Sequence, residues 1–303
     1  MPSTSSKELV VPHDSRFGRP VVVTPVRGRL THLVNQRRFL RAVAPGILHV
    51  VVGVDMPDLE DDLRAAGVWG DVVLASVDDD PRGMPTARAR NAGVEAAREH
   101  GARRVVLLDV DCAPLPGFLE AFDGAAERLG ESAVLNAVVT YLPPERRLEG
   151  CSPDEAMPWV DPHPARPAPP SGRVVVDESH RLLWSLAVGL ELNVWDRIGG
   201  FDEAYVGYGA EDTDFGQRAR TAGVSMAWVG GAHVVHQWHP SVMPPVHHLV
   251  DIVRNAGVYR ERWGAWPMEG WLAQFAASGY VVWSDASLEL TDAGRAAAAQ
   301  ARS

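Results

Sequence analysis

RRVVLLDVD, residues 103–111, decides how this chain folds. Its apolar centre, Val105 to Leu108, reads as a strand buried on both faces, as in a parallel sheet covered by helices. The run ends in Asp109-Val110-Asp111, where a buried strand reaches a solvent cleft. In an extended chain, residues two apart point to one side, so both carboxylates are expected to face that cleft. Hard oxygen donors so placed suit Mg²⁺ or Mn²⁺ held against a diphosphate. A triplet of this kind also occurs as an ordinary turn after a strand, so its surroundings must choose between the two.

Upstream, Val21–Thr24 reads as a strand and Pro25–Arg29 as a loop, followed by a helix over 31–43. Strands follow at Ile47–Val54, ending at Asp55, and at Asp71–Val77. Thr86–His100 is a helix with Thr86 at its N-cap. Downstream, Pro114-Leu115-Pro116 stops the strand, a helix covers 117–129, and Val134–Tyr141 is another strand. This alternation predicts an α/β fold with a mostly parallel sheet flanked by helices. Ligands of such sheets bind beyond the carboxyl ends of the strands, where the loops carrying Arg27, Asp55 and Asp109 converge.

Residues 143–180, with PARPAPPSG at their centre, read as a long proline-rich loop, either a lid or a plain insertion. Residues 247–277 read as two helical pieces separated near Gly264 and Pro267, and 293–301 as a terminal helix. The expected organisation is a polar lead-in over 1–18, a main domain over 19–245 and a C-terminal helical extension over 246–303.

A chain of 303 residues buries a substantial core. Its net charge of −10 argues against nucleic acid or an anionic membrane as partner. Lys7 is the one lysine; every other basic side chain is arginine, which suits bidentate phosphate contacts. Two cysteines, Cys112 and Cys151, form neither a metal knuckle nor a disulfide framework. The N-terminus has no apolar signal core and no run reaches membrane-spanning length, so the expectation is a cytoplasmic protein without a transmembrane segment.

The second informative stretch is GGFDEAYVGYGAEDTDFGQR, Gly199 to Arg218. Glu211-Asp212 opens a helix, where acidic side chains are favoured by the helix dipole whatever else they do. Residues 105–114 and 199–218 resemble glycosyltransferases of the GT-A fold, particularly the family 2 group with a galactosyltransferase-like C-terminal segment. There a strand ending in DxD precedes a GGFDE…GxEDxDxxxR segment, and a histidine follows on a later strand. This chain has Asp109-Val110-Asp111, Gly199-Gly200-Phe201-Asp202-Glu203, Glu211-Asp212-Thr213-Asp214-Phe215 and Arg218, then His233, His236 and His239. The resemblance spans roughly residues 20–240.

The resemblance implies a nucleotide-diphospho-sugar transferase that moves a hexosyl unit, from a donor expected to be uridine-linked, to a hydroxyl acceptor (a glycan, lipid or natural product). Asp212 matches the catalytic base of the inverting members, with Glu211 beside it helping to bind the acceptor. Asp111 and His236 match metal ligands, with His239 the alternative histidine. Asp109 and Val110 fall on the donor, and Pro25, Arg27 and Arg29 resemble the loop that contacts the nucleotide. Asp55 is placed to reach the base. Arg90-Asn91 resembles a motif packed beneath the nucleotide. Tyr208 stands where the galactosyltransferase group has an acceptor-lining tryptophan; a core tyrosine is the plainer reading. Asp214 is expected to be structural, paired with Arg218 one helical turn on.

Two other readings share this sheet. A sugar nucleotidyltransferase usually carries a glycine-rich, lysine-bearing phosphate loop, and PVRGRLTHL has no lysine. A non-catalytic sugar- or nucleotide-binding relative would be marked by loss of the base, yet Asp212 is present.

Overall fold

The structure, a computed structural model, describes residues 7–10 and 18–302. The remainder of the expected lead-in lies outside the described residues. Strands β1 (Lys7–Val10), β2 (Val21–Val26), β3 (His49–Val54), β4 (Val72–Val77), β5 (Arg104–Leu108), β6 (Cys112–Pro114), β7 (Ala133–Tyr141), β8 (Arg173–Asp177), β9 (Ala187–Glu191) and β10 (Ser225–His236) form one sheet. Its order is β1-β8-β10-β7-β9-β5-β2-β3-β4, with β6 against the end of β10. β4, β3, β2 and β5 are mutually parallel, and β7 and β10 are parallel to each other. β9 joins the two groups by antiparallel pairing with β5 and β7. Val105, Val106, Leu107 and Leu108 are at most 1% exposed, which is why β5 reads as an unbroken apolar run.

Helices cover both faces. α1 (Leu30–Val43), α2 (Leu59–Ala65), α3 (Thr86–Glu99) and α4 (Phe118–Leu129) follow their strands, and the short α5 (Pro153–Ala156) comes later. α6 (Leu192–Ile198) leads into the second informative stretch, and α7 (Glu211–Thr221) carries its end. The core splits accordingly. Val23, Val52, Leu107 and Val188 pack with Phe201 and Phe215 on one face; Val22, Val106, Phe118 and Phe122 pack on the other. Thr86 is the first helical residue of α3, with Pro85 at the cap and no side-chain capping bond. That corrects the expected cap: a proline already fixes the backbone where the helix begins.

The 143–180 span is only partly loop. A proline, Pro153, opens α5 behind a Ser152–Glu155 capping box, and β8 inserts between β1 and β10. Leu148 and Ala156 are buried with Phe39, Leu115 and Val235. Pro170 crosses directly over Gly230, where any Cβ would collide with the Pro170 carbonyl. The alternation of RVVVD was masked by the prolines before it.

α8 (Leu249–Trp263), α9 (Glu269–Ala277), the hairpin β11 (Val281–Trp283) and β12 (Leu288–Leu290), and α10 (Asp292–Arg302) follow the sheet. Leu249, Ile252, Leu272 and Phe275 are fully buried in a core of their own there. Among the described residues, no helix is long and apolar enough to cross a membrane.

Candidate active site

Asp109-Val110-Asp111 leaves β5 as a turn, because the Cys112 N–H donates back to the Asp109 carbonyl at 2.8 Å. The expectation that both carboxylates share one side fails for that reason: alternation holds only while the chain stays extended. The turn is clamped instead. Gln36 donates its side-chain amide to the carbonyls of Asp109 (2.7 Å) and Cys112 (2.8 Å), and the Gln237 N–H donates to the Asp111 carbonyl at 2.7 Å. Two carboxylates two residues apart therefore serve two different clusters.

The first cluster surrounds Asp111. Antiparallel pairing of β6 with β10 sets His236 opposite Cys112, one residue beyond Asp111. Donor atoms of Asp111, His236 and His239 all lie within 4.8 Å of one another. Arg29, in the left-handed region at φ 34°, turns its guanidinium onto Asp111 Oδ2, and His32 Nδ1 lies 2.6 Å from Oδ1. Burial works against the Asp111 charge, but His32 and Arg29 outweigh it and hold its pKa below the usual carboxylate range. Burial also lowers His236 to about 4, against the opposing pull of Asp111, so its imidazole is neutral near pH 7, the ligating form. Tyr141 stacks on it at 4.5 Å between ring centres. One carboxylate and two imidazoles are a donor set that Mn²⁺ accepts, and these residues fit such an ion.

The second cluster is organised by Arg90, which is 3% exposed. Its guanidinium donates to Asp109 Oδ1 at 2.9 Å and reaches Glu211 Oε1 at 3.5 Å, while lying 4.9 Å over the Phe201 ring. Asp212 accepts the Thr213 N–H at 2.7 Å, and the Ser185 backbone also favours its charged form. Burial raises the pKa of Asp109, Glu211 and Asp212; Asp212 adds to the rise at Glu211, and Arg90 opposes it at all three. α7 begins from Ala210 at φ 75° with no side-chain cap from that residue, and Asp212 takes up the first-turn Thr213 N–H with one of its two oxygens. Phe215 of α7 stacks on Phe201 at 4.5 Å, a pair worth about 0.5–1.5 kcal/mol, and this fixes α7 against the GGFDE turn.

The remaining expected residues divide. Arg27 pairs with Asp79 at 2.6 Å, and Asp55 stands exposed at the end of β3 with φ 50°. Pro25 is not in a loop: it lies inside β2 opposite Val52, beyond the last residue that pairs with β5, where a missing N–H breaks no ladder bond on that side. Val110 packs its side chain with Val26, Leu33 and Val51. Asn91 spends its amide on the Phe201 backbone, 2.9 Å in each direction, and on Glu203 at 2.8 Å, so it holds the GGFDE turn. Tyr208 is 42% exposed, which excludes the core reading, and stacks on His248 at 4.4 Å with Trp271 at 5.8 Å. His32, Gln36, Tyr141 and Gln237 were missed. The first two were legible only as the face of α1 three and seven residues after Arg29, turned towards the strand ends.

Residues 181–240 match the family model described as the N-terminal domain of galactosyltransferase. A search of curated protein sequences gave no match. Among solved structures, the chain is similar to a crystal structure of GalNAc-T7 with UDP, GalNAc and Mn²⁺, at 11% identity and a TM-score of 0.56, covering 88% of this chain and 58% of that one. It also aligns with a mannosyltransferase from Pyrobaculum calidifontis in complex with GDP-Man and Mn²⁺, at 15% identity and a TM-score of 0.47, covering 96% and 86%. The chain thus spans less than two thirds of the GalNAc-T7 chain. Its fold is that of the GT-A glycosyltransferases.

Proposed function

We propose that this GT-A-fold chain is a divalent-metal-dependent glycosyltransferase that moves a hexosyl unit from a uridine-linked nucleotide-sugar to a hydroxyl acceptor with inversion. One observation carries the reading: Asp111, His236 and His239 converge within 4.8 Å, and Arg90 joins Asp109 of the same turn to Glu211 at the start of α7. That arrangement supports an ion-binding group and a proton-accepting group linked through one turn. The UDP and Mn²⁺ in the GalNAc-T7 complex support the donor and metal.

In this reading Asp111, His236 and His239 hold the ion, which when bound neutralises charge on the leaving diphosphate. Arg29 and Arg27 take phosphate and nucleotide oxygens, and Asp55 reaches the base. Arg90 keeps Asp109 and Glu211 in place without consuming Asp212. Asp212 takes the proton of the attacking hydroxyl, with Glu211 orienting that acceptor. One base and one in-line displacement invert the anomeric centre. Tyr208, exposed and backed by His248 and Trp271, offers the acceptor an aromatic face.

A thermal-shift screen of nucleotide-sugars with and without Mn²⁺ tests donor and metal together, since a ligand that binds only the folded state raises its melting temperature. The expected outcome is stabilisation by a uridine diphospho-sugar that requires the ion. Product configuration by NMR then tests the displacement: a retained anomer would overturn the single-base mechanism. No stabilisation by any nucleotide-sugar would overturn the function.

A further inference from the structure

Arg166, carried by the proline-rich segment, is 7% exposed, and its Nε, Nη1 and Nη2 make no hydrogen bond among the described residues. Trp184 and Trp228 lie on the guanidinium at 5.3 Å and 4.8 Å. Two indoles orient a cation but satisfy none of its in-plane N–H groups. Buried guanidinium donors left unspent are costly, and native structures keep few of them without a use. Two further buried donors nearby are also unspent: Ser185 Oγ, next to Trp184, and Trp228 Nε1.

The place of this group is what makes it informative. From His236, rings run in contact through Tyr141 (4.5 Å), His163 (5.5 Å) and Trp184 (5.2 Å) to Arg166. At the far side, Ser185 follows Trp184 in the chain and its backbone favours the charged form of Asp212, a charge that also acts on Arg166. Arg166 therefore lies between the metal-type cluster and the base. In an in-line transfer the sugar must occupy that interval, with its leaving oxygen at one end and the acceptor at the other.

We propose that Arg166 is a donor-binding residue: its guanidinium fork takes oxygens of the bound nucleotide-sugar, those of the transferred hexosyl ring. This rests on the transferase reading above, and it assigns substrate recognition to the segment 143–180. The β-phosphate offers the same oxygen chemistry, so the test must separate the two sources.

The test is isothermal titration of full-length wild type, Arg166→Met and Arg166→Lys with Mn²⁺, using UDP and whichever of UDP-glucose or UDP-galactose the wild type binds more tightly. Methionine keeps the stem between the indoles and removes an unpaired buried charge, so the melting temperature should hold or rise. Affinity for the UDP-sugar should fall by roughly 10- to 100-fold, the worth of one or two hydrogen bonds to a charged group. Affinity for UDP should be unchanged, and lysine should restore part of the difference. Equal weakening for both ligands would move the anchor to the diphosphate while keeping Arg166 as a donor-binding residue. Unchanged UDP-sugar affinity in folded Arg166→Met overturns the proposal and leaves Arg166 a packing cation. If the wild type binds neither UDP nor either UDP-sugar, the uridine-linked donor of the transferase reading fails first.

Discussion

Asp214→Asn should destabilise the protein while leaving donor binding intact. Asp214 is 0% exposed, and its Oδ1 accepts from Tyr205 Oη (3.2 Å), Arg262 Nη1 (3.0 Å) and Trp263 Nε1 (2.8 Å). Arg218, the partner expected from helical spacing, pairs with Oδ2 at 4.0 Å and also donates to the carbonyls of Gly200 and Gly199. Asp214 thus pins α7 to the end of α8, across the junction between the sheet and the C-terminal extension. Hydrogen bonds to a buried charge contribute about 1.5–3 kcal/mol each. Asparagine keeps a carbonyl acceptor, so the bonds weaken rather than vanish, but its amide gains two donors in a site that already supplies donors. Arg262 retains Asp202 and is 37% exposed, so stranding its charge costs little. The net loss is about 2–4 kcal/mol, just below the cost of removing one partner of a fully buried pair. For a chain of this size that lowers the melting temperature by roughly 3–6 °C. Differential scanning calorimetry measures the shift, and titration with UDP and Mn²⁺ checks the site. A melting temperature within about 2 °C of wild type would refute the anchoring role.

Asp212→Asn should fold and bind donor normally yet lose roughly 10²- to 10⁴-fold in turnover, the range for a general base; near-normal turnover with a confirmed donor and acceptor takes the role away from this residue. Asp111→Ala should abolish Mn²⁺-dependent UDP binding, His236→Ala should weaken it, and His239→Ala should do less; titration calorimetry ranks them, and unchanged metal dependence in Asp111→Ala sinks the metal assignment. Glu211 carries a pH signature. Burial and Asp212 raise it from 4.5 to about 7, so the folded state binds a proton that the unfolded chain has released. That stabilising contribution is complete below pH 4.5 and is lost as pH rises through 7. Glu211→Gln should therefore gain in melting temperature relative to wild type at pH 8 compared with pH 5, and an equal difference at both pH values refutes the shift.

The sequence by itself determined the parallel half of the sheet. Unbroken apolar runs such as Val105–Leu108, alternating with helices bounded by proline and glycine, leave few other ways to bury those residues. It also singled out the acidic stretches and the histidines, because residue type and order along the chain suffice for that. β8 and the β11–β12 hairpin escaped, since short strands flanked by prolines or turn residues have little local signal and exist only through their partners. What tertiary structure alone decided was direction and pairing. Asp109 and Asp111 diverge because a backbone hydrogen bond bends their triplet into a turn. Asn91 spends its amide on the GGFDE turn because the fold carries the Phe201 backbone and Glu203 to it. Asp214 pairs with Arg218 one turn along its own helix, as local spacing predicts, but its closest partners are Arg262 and Trp263, 48 and 49 residues away. A side chain's contacts follow from where the backbone carries it, and for polar groups at strand ends that path depends on long-range packing, which no local window contains.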